Sequence, residues 1–432
     1  MRILPTLWLV ACLTTSTEDT TTHTGSPVEL YPPADVVWTM FAFTSGGASY
    51  LGQSLAIHAE GPILGAPSRF VDEPATPYVF MPSAPYTSGS PQDDWFWFEN
   101  ASTWVDSEDL YHLGSAVLAP GDVTGDGVDD LVVFDDSAVA SVPSGFLVAG
   151  PLAGRRLHAD DPGIVPLFGP RNGTPCGDVT GDGRTDLCLD TGIFAGPVTA
   201  PATPTVTWSA FDPWETRLAA GDLDGDGRNE LLVWDRAGTA IRVLTTFPPG
   251  DHALEALATH SITAPPDTSV NALEVGGDLN GDGREDLVVA WESEARGRRV
   301  SIVIDPASSS LEQTWATWEG VANAVAVGDL DDDGVDDLVF GGRTATSLES
   351  ETVTVLLGPL HAGTLTQADV AITWPGATLD PLMDNDRFGH AIELGDVDGD
   401  GDDDLLISAP SEDGDTEVPF GKVYLTLGPW TP

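Results

Sequence analysis

Residues 395–408 read GDVDGDGDDDLLIS, and this stretch recurs with small changes five more times along the chain. The other copies are GDVTGDGVDDLVVF at 121–134, GDVTGDGRTDLCL at 177–189, GDLDGDGRNELLVW at 221–234, GDLNGDGREDLVVA at 277–290 and GDLDDDGVDDLVF at 328–340. Their first aspartates, at positions 122, 178, 222, 278, 329 and 396, lie between 44 and 67 residues apart. Self-similarity at such a period indicates one supersecondary unit that is repeated in space.

Each aspartate-rich loop stands between β-strand patterns. In the fifth copy, the apolar residues 322–327 precede the loop and residues 338–340 follow it. A third apolar stretch comes after a further turn and ends in Gly358-Pro359, and a fourth stretch carries Trp374. Four strands in each repeat predict the blade of an all-β propeller.

Residues 388–410 carry a resemblance to a known family. FGHAI at 388–392, the loop from Gly395 and LLISAP at 405–410 together resemble the FG-GAP repeat of integrin α-subunit propellers and of their bacterial, VCBS-type relatives. The resemblance implies an all-β fold, a seven-bladed β-propeller of FG-GAP repeats, with the aspartate-rich loop in six of the blades.

A seventh, degenerate copy of the repeat is expected near the start of the chain. Residues 51–57 and 65–67 keep the strand pattern, whereas residues 59–61 (AEG) stand where the loop should be. The last repeat has only three strands, so residues 35–45 are predicted to supply its fourth strand and close the ring, which removes exposed sheet edges. The propeller is thus predicted to span residues 28–432.

The loops have the chemistry of calcium sites. Each one follows D-x-[DNT]-x-D-G-x-x-[DE], which places side-chain oxygens at positions one, three, five and nine and a backbone carbonyl at position seven. Calcium takes six to eight oxygen ligands at about 2.3–2.6 Å, and glycine at position six permits the positive φ of a tight turn. We therefore predict up to six Ca²⁺ ions, with ligands Asp122, Thr124, Asp126, Val128 and Asp130; Asp178, Thr180, Asp182, Arg184 and Asp186; Asp222, Asp224, Asp226, Arg228 and Glu230; Asp278, Asn280, Asp282, Arg284 and Asp286; Asp329, Asp331, Asp333, Val335 and Asp337; and Asp396, Asp398, Asp400, Asp402 and Asp404.

The six loops differ in the charge they offer a cation. The loops that begin at Asp222, Asp329 and Asp396 contain four ligand carboxylates each. The other three have threonine or asparagine at the third position and contain three. Fewer charges predict weaker binding in those three loops.

The composition is strongly acidic. The chain has 68 Asp and Glu residues against 17 Lys and Arg, which gives a formal net charge of -51. Such a charge repels nucleic acid and anionic membrane surfaces, so neither is an expected partner. The hydrophobic fraction of 41% is nevertheless sufficient for a folded core.

The N-terminus has the pattern of a lipoprotein signal. Residues 1–11 contain one charge and an apolar run, and LVAC at 9–12 resembles the bacterial lipobox, which implies that Cys12 is lipidated. Residues 12–27 are rich in threonine and serine, as in a flexible tether. A misplaced start codon and a signal without lipidation are the alternatives. The prediction is an exported bacterial protein, at the outer membrane or cell surface, that meets the membrane only through its lipid anchor.

Two further cysteines agree with export. Cys176 and Cys188 flank one loop at the ends of two strands that are predicted to pair. An oxidising compartment favours a disulfide between them, and two buried free thiols are the alternative.

The predicted function is binding. In the family that the chain resembles, the metal is structural, and the ligand surface is usually the opposite face, made by the loops between strands two and three and between blades. In this sequence those loops are residues 295–299 (with Arg296, Arg298 and Arg299), 344–352, 378–386 and 411–420. The arginine cluster is either part of that surface or a solvated turn.

The expected partner is an extracellular protein or glycan, as in adhesion. One alternative is a polysaccharide lyase or another carbohydrate-active enzyme, which needs a positioned base, and a second alternative is a multivalent lectin. The sequence has no G-x-S-x-G, H-E-x-x-H or phosphate-loop motif, and its histidines are scattered. No catalytic residue is assigned, and the sequence leaves the question of catalysis open.

Overall fold

Seven sheets make up the fold. The protein is described by a computed structural model over residues 8–9, 39–44, 50–67, 77–82, 96–99, 112–136, 143–208, 216–234, 239–304, 310–320, 322–343, 351–375, 387–410 and 422–430. We number the sheets as blades 1 to 7 and give the strands of each blade from its inner edge outward. The strands are Ser54–His58, Gly61–Ala66, Tyr78–Met81 and Phe96–Glu99 in blade 1; Leu113–Gly121, Asp130–Asp135, Gly145–Val148 and Val165–Leu167 in blade 2; Gly173–Pro175, Leu187–Leu189, Gly192–Phe194 and Val206–Trp208 in blade 3; Arg217–Gly221, Glu230–Trp234, Ala240–Leu244 and Ala258–Thr263 in blade 4; Ser269–Val275, Leu287–Ser293, Gly297–Val303 and Ala316–Glu319 in blade 5; Ala324–Gly328, Asp337–Arg343, Glu351–Leu356 and Ile372–Pro375 in blade 6; and Ile392–Gly395, Asp404–Ala409, Lys422–Thr426 and Thr39–Thr44 in blade 7.

Each blade is a four-stranded antiparallel meander, as the repeat predicts. The only helix among the described residues is Leu254–Leu257, between the third and fourth strands of blade 4. The six aspartate-rich loops all join the first strand of a blade to the second, so they lie at one end of the ring. The sequence therefore predicted the four strands of each blade and the position of the aspartate-rich loops correctly.

The seven inner strands form a closed ring. Each one contacts the inner strand of the next blade, and the inner strand of blade 7 contacts that of blade 1. The apolar core is divided accordingly into seven clusters, and each cluster lies between two adjacent blades. A fully buried Leu, Val or Phe contributes about 1.5–3 kcal/mol relative to an exposed one, so the blades are held face to face by this burial. The structure is the seven-bladed propeller that the sequence predicts.

The ring closes through the N-terminal strand. Thr39–Thr44 pairs antiparallel with Lys422–Thr426, with Thr39 opposite Leu425, and so becomes the fourth strand of blade 7. This strand lies inside the range 35–45 that the sequence predicts, whose remaining residues are outside the described part. A two-residue strand, Trp8–Leu9, pairs on its outer side, within the segment predicted as a signal.

Three short outer strands were not predicted from the sequence. They are Arg156–His158, Gly250–His252 and Gly363–Leu365, and each pairs in parallel with the fourth strand of the preceding blade. Blade 2 thus contributes a strand to blade 1, blade 4 to blade 3, and blade 6 to blade 5. The additional pairing covers outer edges that would otherwise expose unpaired backbone groups.

The two cysteines of blade 3 form a disulfide. The sulfurs of Cys176 and Cys188 are 2.09 Å apart, and the two Cα atoms are separated by 6.1 Å. Both residues are fully buried at the interface between blades 3 and 4. Cys12 lies outside the described residues, as does the tether at 12–27. None of the described helices is long and apolar enough to cross a membrane.

Two glutamates interrupt the apolar inner strands. Glu274 belongs to the inner strand of blade 5 and Glu393 to that of blade 7, and both side chains are half-buried. Burial raises the pKa of Glu274 to about 7. Burial also raises the pKa of Glu393 to about 8, and the charge of Glu274 adds to this rise. Near neutral pH the centre of the ring therefore holds protons that an exposed glutamate would release.

Removal of the closing strand tests how the ring is sealed. Deleting residues 28–45 should expose the edge of Lys422–Thr426 and lower the melting temperature, or make the protein self-associate, because an unpaired edge strand is a template for pairing. The measurement is thermal melting with light scattering. Deleting residues 12–27 is the control and should change neither property. An unaltered melting temperature and a monomeric state after the first deletion would show that the strand does not close the ring.

The paired glutamates predict a stability loss at alkaline pH. Because the pKa values in the folded state exceed the ordinary value of 4.5, the stabilisation is present at low pH and declines as the pH rises through about 7 and 8. In constant calcium excess, the variant E274Q/E393Q should lose less stability between pH 6 and pH 9 than the wild type. Denaturant unfolding at each pH measures this, with the exposed Glu294→Gln as control. Identical pH profiles for the double variant and the wild type would contradict the assignment.

Candidate metal centres

The six loops share one conformation, which is built around their first aspartate. We number loop positions from that residue. In blade 4, one carboxylate oxygen of Asp222 accepts N–H bonds from Gly225 (2.8 Å) and Asp226 (3.0 Å), and the other accepts one from Gly227 (2.7 Å). Asp122, Asp178, Asp278 and Asp396 accept the same three bonds from positions four, five and six of their own loops. The first aspartate therefore shapes the turn as well as supplying oxygen.

Two positions in each turn adopt a left-handed backbone. The glycine at position six has φ between 84° and 99° in all six loops, which confirms the reason for its presence. Position four is also left-handed: it is glycine in five loops and Asp332, with φ 56°, in blade 6. The sequence reading overlooked position four, although the glycine is visible in five copies. Asp332 lacks the conformational freedom that glycine has at positive φ. Its loop makes two of the three N–H bonds to Asp329, from Asp333 and Gly334.

The seventh residues lie in the outer part of the turn. Their backbone N–H donates to the aspartate at position five, at 2.9–3.1 Å. This bond holds the fifth carboxylate towards the turn. It involves Val128, Arg184, Arg228, Arg284, Val335 and Asp402, the residues whose carbonyls were predicted as ligands.

The acid at position nine is the most buried of the predicted ligand side chains in every loop. Asp404 is fully buried and accepts N–H bonds from Val397 and from Gly428, both at 2.8 Å. Burial raises its pKa to about 6, and the charge of Asp398 contributes to this. Burial is also the main cause that raises the pKa of the other ninth acids, to about 7 in Glu230, Asp286 and Asp337 and by a smaller amount in Asp130 and Asp186. A cation beside these groups would stabilise their charged forms.

Four loops bring at least three carboxylates together. In each of these groups the ligand oxygens lie within 4.8 Å of one another. The groups are Asp178, Asp182 and Asp186; Asp222, Asp224 and Glu230; Asp329, Asp331 and Asp333; and Asp396, Asp398 and Asp404. They include all three loops that offer four carboxylates and one of the loops that offer three.

The loops of blades 2 and 5 do not bring three carboxylates within that distance, although all nine residues of each are described. In blade 5 the Asn280 amide donates to both oxygens of Asp286, at 3.1 Å each. In blade 2 the Thr124 hydroxyl donates to Asp130 at 3.3 Å. A neutral donor at position three thus partly satisfies the ninth acid in these two loops and, through Thr180, in the loop of blade 3 as well. Weaker cation binding in the three loops stays a prediction.

One oxygen in blade 6 has no hydrogen bond within the described structure. Asp331 Oδ1 is buried, and no donor lies within bonding distance of it. Burial raises the pKa of Asp331, and the charges of Asp333 and Asp329 raise it further. A buried carboxylate oxygen without a donor is costly unless a cation is present, so the residues of this loop fit a hard divalent ion.

Blade 1 has replaced the loop by a protein contact. The two carboxylate oxygens of Glu60 accept the N–H groups of Leu152 (2.9 Å) and Ala153 (2.7 Å) of blade 2. The ring Nε2 of His58 lies 3.1 Å from the carbonyl oxygen of Asp129. The only acid of this turn is therefore used to bind the neighbouring blade, as expected for a blade that keeps its strands without a metal loop.

The opposite face carries the loops that were predicted to bind a ligand. The three arginines of blade 5 are paired there: Arg296 with Glu312, Arg298 with Glu292 and Arg299 with Glu319, at 2.5 to 3.0 Å. These pairs balance the charge of the cluster, which supports the solvated-turn reading. The loops at 378–386 and 411–420 and most of 344–352 lie outside the described residues.

A ring of polar residues on this opposite face was missed by the sequence reading. One polar residue stands six or seven positions before the first aspartate in six blades, and its counterpart in blade 1 precedes the first strand. The set is Gln53, Ser115, Asn172, Thr216, Asn271, Asn323 and His390. Alignment of the repeats on their aspartates would have revealed it.

Members of this polar ring link neighbouring blades. Gln53 Nε2 lies 2.7 Å from His390 Nε2, and the Asn172 amide donates to the Thr216 carbonyl at 3.2 Å. Gln53 Oε1 and Asn172 Oδ1 are buried and have no hydrogen-bond donor among the described residues. Two buried acceptors in this polar ring, one in blade 1 and one in blade 3, thus have no donor within the described structure.

Two family models match parts of the chain. The model described as "FG-GAP repeat" matches residues 388–425, and the one described as "FG-GAP-like repeat" matches residues 278–340. No curated protein matches. Among solved structures, BBS1N in complex with ARL6DN soaked with lead is 13% identical with a TM-score of 0.30, covering 68% of this chain and 76% of that one. The same complex soaked with mercury is 12% identical with a TM-score of 0.28, covering 73% and 94%.

Likeness at that level carries no information on function. The two family matches fall on blades 5 to 7, whose strand order and loop position are the same as in the remaining blades. The chain is thus a seven-bladed β-propeller of FG-GAP repeats.

Proposed function

We propose that this protein is an exported, calcium-stabilised propeller that binds an extracellular protein or glycan on the face opposite its aspartate-rich loops. FG-GAP repeats are typical of extracellular proteins, and the propeller fold is consistent with a binding or adhesion scaffold. The proposal that the loops bind calcium is supported by the four acidic clusters on one face, together with the unsatisfied oxygen of Asp331.

Calcium would act as a structural ion in these loops. Each loop joins the first two strands of a blade, and its ninth acid also bonds the end of the third strand in blades 2, 3, 6 and 7. An ion that binds the folded loop and not the unfolded chain stabilises the fold by mass action. The supporting charges are the three or four carboxylates per loop, which repel one another when no cation is bound.

Export is supported by the disulfide. Disulfides persist in oxidising compartments and are rare in the cytosol, so Cys176–Cys188 agrees with a location outside the cytoplasm. We extend the proposal to a lipid on Cys12, which would anchor the propeller at a bacterial outer membrane or cell surface through residues 12–27.

The two faces of the ring use their polar groups differently, and this difference favours the face opposite the loops as the binding face. The oxygens of the loop face are committed to their own turns and to a cation, whereas the polar ring on the opposite face includes the exposed side chain of Asn323. Hydroxyl groups of a glycan or backbone N–H groups of a protein would bond to such a side chain.

Removal of one ligand tests the metal assignment. Asp331→Asn should reduce the number of bound Ca²⁺ ions by one and lower the melting temperature in calcium, because the unsatisfied oxygen loses its charge. With calcium at 100 times its Kd, one site contributes about 2.7 kcal/mol of stability. Isothermal titration calorimetry and melting curves with calcium and with chelator measure both effects.

The matched control for this variant is Asp332→Asn. This substitution removes one charge from the same loop at a position that is not a predicted ligand, and asparagine tolerates its left-handed backbone. It should leave the stoichiometry unchanged. Equal melting temperatures of the wild type in calcium and in chelator would refute the structural role of the ion.

The binding function is tested with protein and glycan arrays in calcium and in chelator. For any ligand found, Asn323→Ala and His390→Ala on the opposite face should weaken binding about tenfold, the size expected when a good hydrogen bond to a ligand is lost. Asp332→Asn on the loop face should not. The proposed face is wrong if only loop-face changes weaken binding, and the proposed function fails if neither array gives a ligand.

A further inference from the structure

The eighth loop residue reaches across to the preceding blade. Glu285 of blade 5 accepts the backbone N–H of Asp222, the first ligand of blade 4, at 2.7 Å. Asp336 of blade 6 accepts the N–H of Asp278 at 2.6 Å, and Asp403 of blade 7 accepts that of Asp329 at 3.1 Å. Blades 4 to 7 are thus joined by three hydrogen bonds of one kind, each ending on a first ligand.

This contact explains the glycine before each of these aspartates. A Cβ at Gly221 would lie 2.2 Å from Glu285 Oε2, and a Cβ at Gly328 would lie 2.4 Å from Asp403 Oδ2. At Gly277 it would lie 2.7 Å from Asp336 Cγ. A side chain at these three positions would displace the carboxylate of the next blade and, at Gly221 and Gly277, also a valine of that blade. Glycine leaves room for the contact between blades at these positions.

The three acids occupy a special place in their own loops. Position eight lies between the carbonyl at position seven and the carboxylate at position nine, both of which are predicted ligands. A cation bound in that loop would fix the eighth residue from both sides. Its half-buried carboxylate then lies between two neighbouring loops, where it would attract a cation in either.

Blades 2 and 3 lack an acid at the corresponding contact. Thr185 of blade 3 meets the site of a Cβ on Gly121 only through its methyl group, at 3.6 Å. Asn229 of blade 4 donates from its amide to the Cys176 carbonyl at 3.2 Å. These neutral residues hold the blades together without placing a charge near the preceding loop.

We propose that Glu285, Asp336 and Asp403 couple the cation sites of blades 4, 5, 6 and 7, so that a cation bound in one loop raises the affinity of the preceding loop. The inference rests on the proposed function, because it requires that these loops bind cations. By linkage the coupling is mutual: a cation in blade 6 raises the affinity of blade 7 by the same factor.

A double-mutant cycle on the full chain tests the coupling between blades 6 and 7. Asp396→Ala removes the blade 7 site, and Asp403→Asn removes the bridging charge while keeping an oxygen acceptor. The readout is amide hydrogen exchange of peptides covering 329–337 as CaCl₂ is added. Each single variant should raise the calcium concentration for half-protection about tenfold, as expected for a partner outside the ligand set. The double variant should add little to either single effect.

The control is Asp129→Asn. Asp129 is the eighth residue of blade 2, but it faces blade 1, which has no metal loop, and only its carbonyl is used there. This variant should not shift the protection of residues 329–337 or 222–230. Glu285→Gln is an independent second test of the coupling, and its effect is measured by amide hydrogen exchange of the peptide covering 222–230.

The coupling is refuted if Asp403→Asn and Glu285→Gln behave like Asp129→Asn, or if the effects of Asp396→Ala and Asp403→Asn multiply. Failure of the proposed function looks different, because calcium would then protect no loop of the wild-type protein.

Discussion

A buried carboxylate at the ninth loop position is the constraint on which each blade with an aspartate-rich loop depends. In blade 7 this group, on Asp404, begins the second strand, bonds the backbone at the end of the first strand and bonds the backbone at the end of the third. One charge thus fixes three strands at the same end of the blade. Such a group is stable away from water only because it is fully hydrogen-bonded or neutralised, so the loop around it has little freedom to vary.

Other features of the blades follow from the strand ends that the ninth acid fixes. The four Gly-Pro pairs that end third strands place a glycine N–H on the ninth acid, and a Cβ at that glycine would lie 2.3–2.5 Å from the carbonyl of the eighth residue. Blades 4 and 5 lack the pair, and their ninth acids, Glu230 and Asp286, have no corresponding bond among the described residues. The ninth acid fixes one end of blades 2, 3, 6 and 7 in this way, and apolar burial between the blades completes the ring.

Much of this could be predicted from the sequence because the pattern repeats. Six copies of one loop in phase with strand patterns indicate six blades, the loop face and the glycine at position six without reference to coordinates, and the degenerate copy at residues 51–67 added the seventh blade. The same reading placed Thr39–Thr44 in the last blade from a missing strand and from the strand pattern of residues 35–41. It could not predict the outer strands, such as Gly363–Leu365, since three residues are too few to carry a periodic signal.

Contacts between repeats were also beyond the sequence reading. Glu285, Asp336 and Asp403 look like ordinary solvated acids when one copy is read by itself, and only the packing of neighbouring blades shows what they bond. The grouping of carboxylates also differs between loops that have the same residue at position three. Thr124 and Thr180 make the same bond to the ninth acid at 3.3 Å, yet only the loop of blade 3 brings three carboxylates together. Such differences depend on the three-dimensional geometry of the loop, which the spacing of residues along the sequence does not determine.

The closing strand also decides how the ring would bear a load. A force that enters through residues before Thr39 reaches the propeller at blade 7, where four backbone pairs join the first part of the chain to the last. Hydrogen bonds between Thr39–Thr44 and Lys422–Thr426 would resist the pull before any apolar contact between blades is strained. The mechanical strength of the molecule therefore resides in this single seam, whereas its thermal stability is distributed over seven interfaces.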